Sequence, residues 1–318
     1  MRRFLLKLGL FLAIQIAGVA WYESTVWSGN NQGYMDALQD KAALLARADE
    51  PGRVILVGGS NTAWGLNAVD LGHALGRPVV NTGLHAALGL DVMLDFPAAY
   101  LRPGDLVVLS LEYEHYQYDT RHDETIWTSA PSFRGLPVRP VTLQPVYIAD
   151  HFLQYVAAAR DHAVNLNKTH QRQEEGEFTR GAFDGRGDMI GHYGKPPLAP
   201  AEGFAFDFHA PAPVFLGQII ARLNGFAAAA KARGAQVYLC FPPLPGQKFA
   251  LYHAQLAALD ATLRARLNFP VLNDPGDLLL AHDDCYNTVY HLTRPGIDKR
   301  DAALAEKLQG VLPPRPAP

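Results

Sequence analysis

Four short segments of this chain carry residue types that can do chemistry together. In Val57-Gly-Gly-Ser-Asn-Thr62, two glycines allow a tight turn and deliver Ser60 at the mouth of the next helical stretch. A hydroxyl there can act as a nucleophile while its own N–H helps hold a developing oxyanion. Ser60 or Asn61 can equally cap the adjoining helix. Asn81-Thr-Gly-Leu84 offers Gly83 either as a bare backbone N–H or as a turn glycine with positive φ. Ser110-Leu-Glu-Tyr-Glu-His115 places Glu112, Glu114 and His115 behind an apolar run, the composition of a polar pocket rim or of a solvated loop. Asn287-Thr-Val-Tyr-His-Leu-Thr-Arg-Pro-Gly296 sets His291 just before a helix start and downstream of the acidic, polar loop from Asp283 to Asn287. A hydroxyl, an imidazole and backbone donors are the parts needed for acyl transfer through a serine.

The elements that must position these residues alternate. Residues 53–58, 78–83, 105–111 and 235–241 read as buried strands, with residues 271–272 as a short fifth. Residues 68–75, 88–100, 215–232, 250–267 and 295–308 have helical periodicity, and Pro295 opens the last of these. Repeated strand–helix units imply an α/β fold, a flavodoxin-like three-layer sandwich with a five-stranded parallel sheet. In such a sheet, ligands sit beyond the carboxyl ends of the strands, where all four segments lie. Between residues 112 and 213 the alternation breaks into prolines, a glycine-rich stretch over 181–194, a charged run over 172–177 and one helix over 149–165. That length reads as a cap inserted after the third strand, about residues 113–213.

The chain has 318 residues, 48% apolar and 19% charged, which excludes disorder. Its 28 basic and 31 acidic side chains give a net charge of -3, with no electrostatic footprint for nucleic acid. Arg2, Arg3 and Lys7 precede an apolar run ending at Tyr22, so residues 1–22 read as a transmembrane anchor or a cleavable signal sequence. Either version places the remainder outside the cytoplasm, the anchored one on the inner membrane. Residues 23–52 read as an amphipathic stem helix and 53–318 as the α/β domain with its cap.

The order Gly-x-Ser-Asn after the first strand, a glycine after the second and His-Leu-Thr-x-x-Gly before the last helix resembles the SGNH (GDSL-type) hydrolase superfamily. The likeness runs from Val54 to Leu308, apart from the cap. It is nearest to the membrane-anchored SGNH-like proteins that accompany membrane-bound O-acyltransferases in teichoic acid D-alanylation and alginate acetylation. The resemblance implies Ser60 as nucleophile, His291 as general base, and the Ser60 and Gly83 N–H groups as oxyanion donors, with Asn61 and Glu112 beside them in the oxyanion and substrate-binding site. It also implies an acyl-ester or polysaccharide substrate, no cofactor, and a membrane-bound O-acyltransferase as partner. The sequence departs from the pattern at two points. Thr288 stands where the family carries aspartate, leaving Asn287, Asp283 and Asp284 to orient the imidazole; Glu112 stands near the place of an oxyanion-donating asparagine, and an ionised Glu112 repels an oxyanion. Those departures suit a specialised acyl transferase or esterase, or a catalytically inactive scaffold that binds glycan or the acyltransferase.

Other features are weaker. Cys240 and Cys285 can form a disulfide or remain two buried thiols. Tyr113, Tyr116, Tyr118, Trp127 and Phe133 can form a sugar-stacking wall or the core of the cap. Glu112, Glu114, His115, Asp119, His122 and Asp123 include metal-ligand types without a recognised spacing, so no metal is expected.

Overall fold

The computed structural model describes residues 2–22, 33–47, 51–121, 125–126, 129–138, 177–198 and 205–312, with single positions 140, 146, 149 and 153. The expected cap helix over 149–165, apart from positions 149 and 153, lies outside the described residues, as do Trp127, His122 and Asp123.

Helix α1 (Arg2–Tyr22) opens the chain. Among the described residues no helix is long and apolar enough to cross a membrane, which corrects the expected N-terminal transmembrane helix. Arg2, Arg3 and Lys7 occupy its first two turns and Gln15 interrupts the apolar run beyond them, whereas a hydrocarbon core takes about 20 predominantly apolar residues. Helix α2 (Ala37–Ala46), read from sequence as part of a stem, buries Leu38, Ala42 and Leu45 in the same core as the sheet.

The sheet is built from β1 (Val54–Gly58), β2 (Val79–Asn81), β3 (Leu106–Ser110) and β4 (Gln236–Leu239). Its order is β2-β1-β3-β4 and every pair is parallel. Helices α3 (Ser60–Ala63) and α4 (Ala68–Leu75) link β1 to β2, α5 (Gly89–Ala98) leads to β3, and α6 (Pro213–Ala232) precedes β4. Beyond β4 comes a two-stranded parallel pair, β5 (Leu244–Pro245) with β6 (Leu279–Leu280), separated by α7 (Gly246–Arg266). Helix α8 (Arg294–Gln309) closes the fold.

Side chains alternate across the sheet, as the two-residue period of a strand requires. Val54, Leu56, Leu106 and Val108 meet Leu71 of α4 and Leu304 of α8. Ile55, Val57, Val107 and Leu109 share the larger core with α2, α5 and α6.

The sheet has four strands, not the five expected. Val271 makes only an isolated bridge to Leu239. Pro270 has no N–H to contribute, and beyond Leu272 the Asn273 side chain replaces backbone in the ladder. Asn273 Oδ1 accepts from Phe241 N at 2.7 Å, and its Nδ2 donates to Phe241 O at 3.1 Å.

The described part of the insertion runs along the carboxyl ends of β1 and β2. Arg186 O accepts from Asn81 N at 2.9 Å, and Met189 N donates to Ala63 O at 2.9 Å. Asp188 is fully buried and accepts from Asn81 Nδ2 at 2.8 Å and Ala68 N at 2.6 Å. Tyr113, Tyr116 and Phe133 are buried as core, whereas Tyr118 is exposed.

Candidate functional site

Ser60 begins α3 directly after the strand-ending Gly58-Gly59, and Trp64 N donates back to Ser60 O at 2.8 Å. Gly59 is required here by space: a Cβ on it would lie 2.8 Å from Glu112 Oε1. The room so left is taken by the Glu112 carboxyl, which accepts from Ser60 Oγ at 3.1 Å and from Asn61 N at 2.9 Å. Glu112 is buried, and burial is the largest influence on it, raising its pKa above the ordinary carboxylate value. Hydrogen bonds from Asn61 and Ser60, together with the nearby Arg300 guanidinium, act in the opposite direction.

His291 sits on the neighbouring loop. Asn287 Oδ1 lies 2.7 Å from its Nδ1, and with the amide oxygen as acceptor the ring proton is on Nδ1 and Nε2 is bare. The ring stacks on Trp64, with centroids 4.7 Å apart and planes at 14°. Leu292 N donates to Trp64 O at 3.2 Å, so this loop is fastened to the residue that closes α3. Burial, then the neighbouring His192 and His85, push His291 down to about 3, so it is neutral at ordinary pH. Thr288 Oγ1 accepts from Tyr290 N and His291 N, which shapes the turn.

The sequence-derived site is thus brought together in part. Ser60, Asn61 and Glu112 form one cluster, and His291 with Asn287 forms a second beside it. Among the described residues no hydrogen bond joins Ser60 to His291; the hydroxyl goes to Glu112. Asp284 belongs to neither cluster, because its carboxylate accepts from Lys299 Nζ and from Ala281 N. The Asn61 side chain is also internal, with Nδ2 donating to Ser110 O at 3.0 Å. Gly83 departs from its expected role, since its N–H donates to Asn81 Oδ1 at 3.0 Å. Both cysteines are free thiols.

Gly83 nevertheless bears on the site through space. A Cβ there would stand 2.6 Å from Thr62 Cβ, 2.8 Å from Gly59 O and 2.9 Å from Ala63 N. These are rigid parts of the Ser60 turn. Gly83→Ala is therefore expected to destabilise the protein by about 1–3 kcal/mol and to displace Ser60. Urea unfolding together with acylation of Ser60 checks both effects, and a variant matching wild type in both would refute the packing argument.

Sequence reasoning did not single out Trp64, Asn81, Asp188 or Arg300. Arg300 had a readable signal. It lies with Ile297, Asp301 and Leu304 on the buried stripe of α8, where charges are out of place. Its Nη1 donates to Asn61 O at 2.6 Å, and its Nη2 donates to Ser110 Oγ at 2.8 Å.

Comparison of the chain with family models, with curated proteins and with solved structures finds no match.

Proposed function

We propose that this protein is a serine-dependent acyl-ester hydrolase or O-acyltransferase with an SGNH-like site. The observation that carries this reading is the hydrogen bond from Ser60 Oγ to the buried Glu112 carboxyl at 3.1 Å. A serine hydroxyl is a weak nucleophile until a base takes its proton. Ser60 Oγ attacks the acyl carbonyl as its proton passes to ionised Glu112. Collapse of the tetrahedral adduct breaks the ester C–O bond, and the alcohol leaves with that proton. Glu112, ionised again, takes the proton of an incoming water or sugar hydroxyl as its oxygen attacks the acyl carbonyl; the bond from that carbon to Ser60 Oγ then breaks, and the proton returns to Ser60 Oγ. Neutral His291, held by Asn287, presents Nε2 as an acceptor for the second hydrogen of an incoming water.

The polysaccharide substrate, the O-acyltransferase partner and a position outside the cytoplasm belong to this reading through the sequence resemblance. Arg2, Arg3 and Lys7 ahead of an apolar run support export.

A second reading, a noncatalytic scaffold for glycan or for an acyltransferase, is favoured by one observation. Two candidate oxyanion donors are engaged, Gly83 N–H by Asn81 and Asn61 N–H by Glu112. A fluorophosphonate probe separates the two readings. Labelling of the wild-type protein that is lost in Ser60→Ala supports the enzyme; an unlabelled wild-type protein supports the scaffold.

A further inference from the structure

We propose that the cleft bounded by the carboxyl ends of β3 and β4 and by α8 binds a small monocarboxylate, held by Arg300 and Ser110. The cleft has a volume of about 250 Å³, below the size of most drug-sized ligand sites, so its occupant is compact. It lies behind the Ser60 turn and does not depend on acyl chemistry at Ser60.

The donor count at its inner end points to an anion. A guanidinium carries five N–H groups. Arg300 Nη1 donates to Asn61 O and Gly65 O, and Nη2 donates once to Ser110 Oγ. That leaves the Nε–H and one Nη2–H without an acceptor among the described residues. Ser110 Oγ accepts from Arg300, and its own hydrogen likewise has no acceptor there. Arg300 is 5% exposed and Ser110 2% exposed, and among the described residues Arg300 makes no ion pair. Asp301 and Glu112 act on this guanidinium only through space and neither is hydrogen-bonded to it, so a carboxylate in the cleft supplies the direct, charge-assisted acceptors that Nε–H and Nη2–H lack.

The remaining walls narrow the ligand further. Leu66, Phe241 and Leu304 line the cleft and suit a short aliphatic chain. Asp277 and Lys307 are paired at 2.7 Å, while Glu306 lines the same cleft. These acids oppose a second negative charge, so a monoanion is favoured over a dicarboxylate or a phosphate dianion.

The test is titration of the full-length protein with sodium butyrate, following the ¹H–¹⁵N resonance of Arg300 Nε, assigned by its loss in Arg300→Lys. A saturable shift is expected with butyrate, and none with succinate or phosphate at matched ionic strength. Ser110→Ala is expected to weaken binding about tenfold, the effect of one hydrogen bond to a charged group. Ala303→Leu fills the cleft without removing an Arg300 partner and is expected to abolish the shift. Absence of a saturable butyrate shift, or unchanged binding in Ala303→Leu, overturns the site. Equal binding of succinate or phosphate overturns the monocarboxylate assignment. Because the readout is a resonance rather than turnover, fluorophosphonate labelling of the same samples judges the Ser60 reading separately.

Discussion

Glu112→Gln is expected to slow turnover of a small acyl ester by about 10²–10⁴-fold, the usual contribution of a general base. It is also expected to leave the fold at least as stable at neutral pH. Glutamine keeps an oxygen for Asn61 N–H and Ser60 Oγ–H but takes up no proton. In the wild type, burial raises the Glu112 pKa above the ordinary carboxylate value. The ionised form is the base, so turnover should fall as pH drops through that raised value. Glutamine removes this acid limb. His291, pushed down to about 3, is neutral across the range and does not produce it.

Stability should move in the other direction. A carboxyl whose folded pKa is raised holds its proton more tightly in the native state. Its stabilising contribution is complete below the unfolded value and is lost as pH rises through the folded one. Wild-type stability therefore declines over that interval and then levels, whereas the glutamine variant lacks this decline. Paired pH–rate profiles and thermal melts read both effects. A variant that keeps the wild-type rate and acid limb would place the base elsewhere.

The parts of this arrangement that were legible in the sequence are those set by local pattern. Strands β1 and β3 are continuous apolar runs ended by glycine or serine, and the order of the segments brings Ser60, Glu112 and His291 to the same sheet edge. The fifth strand failed because two apolar residues, Val271 and Leu272, lie between Pro270 and an asparagine whose side chain takes over the hydrogen bonding. The expected transmembrane helix is not found, since no helix among the described residues is long and apolar enough to cross a membrane.

Side-chain destinations were harder to read, because each depends on a partner distant in sequence or on space left by a missing atom. Glu112 was expected near the place of an oxyanion donor, but that the absent Cβ of Gly59 admits its carboxyl as Ser60's hydrogen-bond partner was not readable locally. Gly83 was recognised as a glycine at a turn, yet nothing local reveals that Asn81 receives its N–H. Asp284 is acidic and close to His291 in the chain, but Lys299 on α8 captures it. Asn287 did meet the imidazole, one helical-turn spacing away.

Asp105→Ala is expected to lower unfolding free energy by about 3–5 kcal/mol, the cost of leaving one member of a buried ion pair uncompensated. Arg53 and Asp105 are almost wholly buried, and the guanidinium meets both carboxylate oxygens, at 3.1 and 2.6 Å. Arg53 also donates to Leu45 O at 2.6 Å and Tyr100 O at 3.0 Å, while Asp105 accepts from Arg102 N at 2.9 Å. One pair thus ties α2, the entry to β1 and the entry to β3. Removing the carboxylate strands a charge that water cannot reach. Arg53→Met combined with Asp105→Leu relieves the stranded charge, but leaves Tyr100 O without its Arg53 donor, Leu45 O with only the 3.4 Å bond from Arg102 Nη2, and Arg102 N without its Asp105 acceptor. The double variant is therefore expected to fall between wild type and Asp105→Ala in urea unfolding. Fluorophosphonate labelling of Ser60 should persist in every variant that remains folded, since the pair lies at the amino ends of the strands and Ser60 beyond their carboxyl ends. Wild-type stability in Asp105→Ala would mean that the backbone contacts of Arg53 alone hold this end of the sheet.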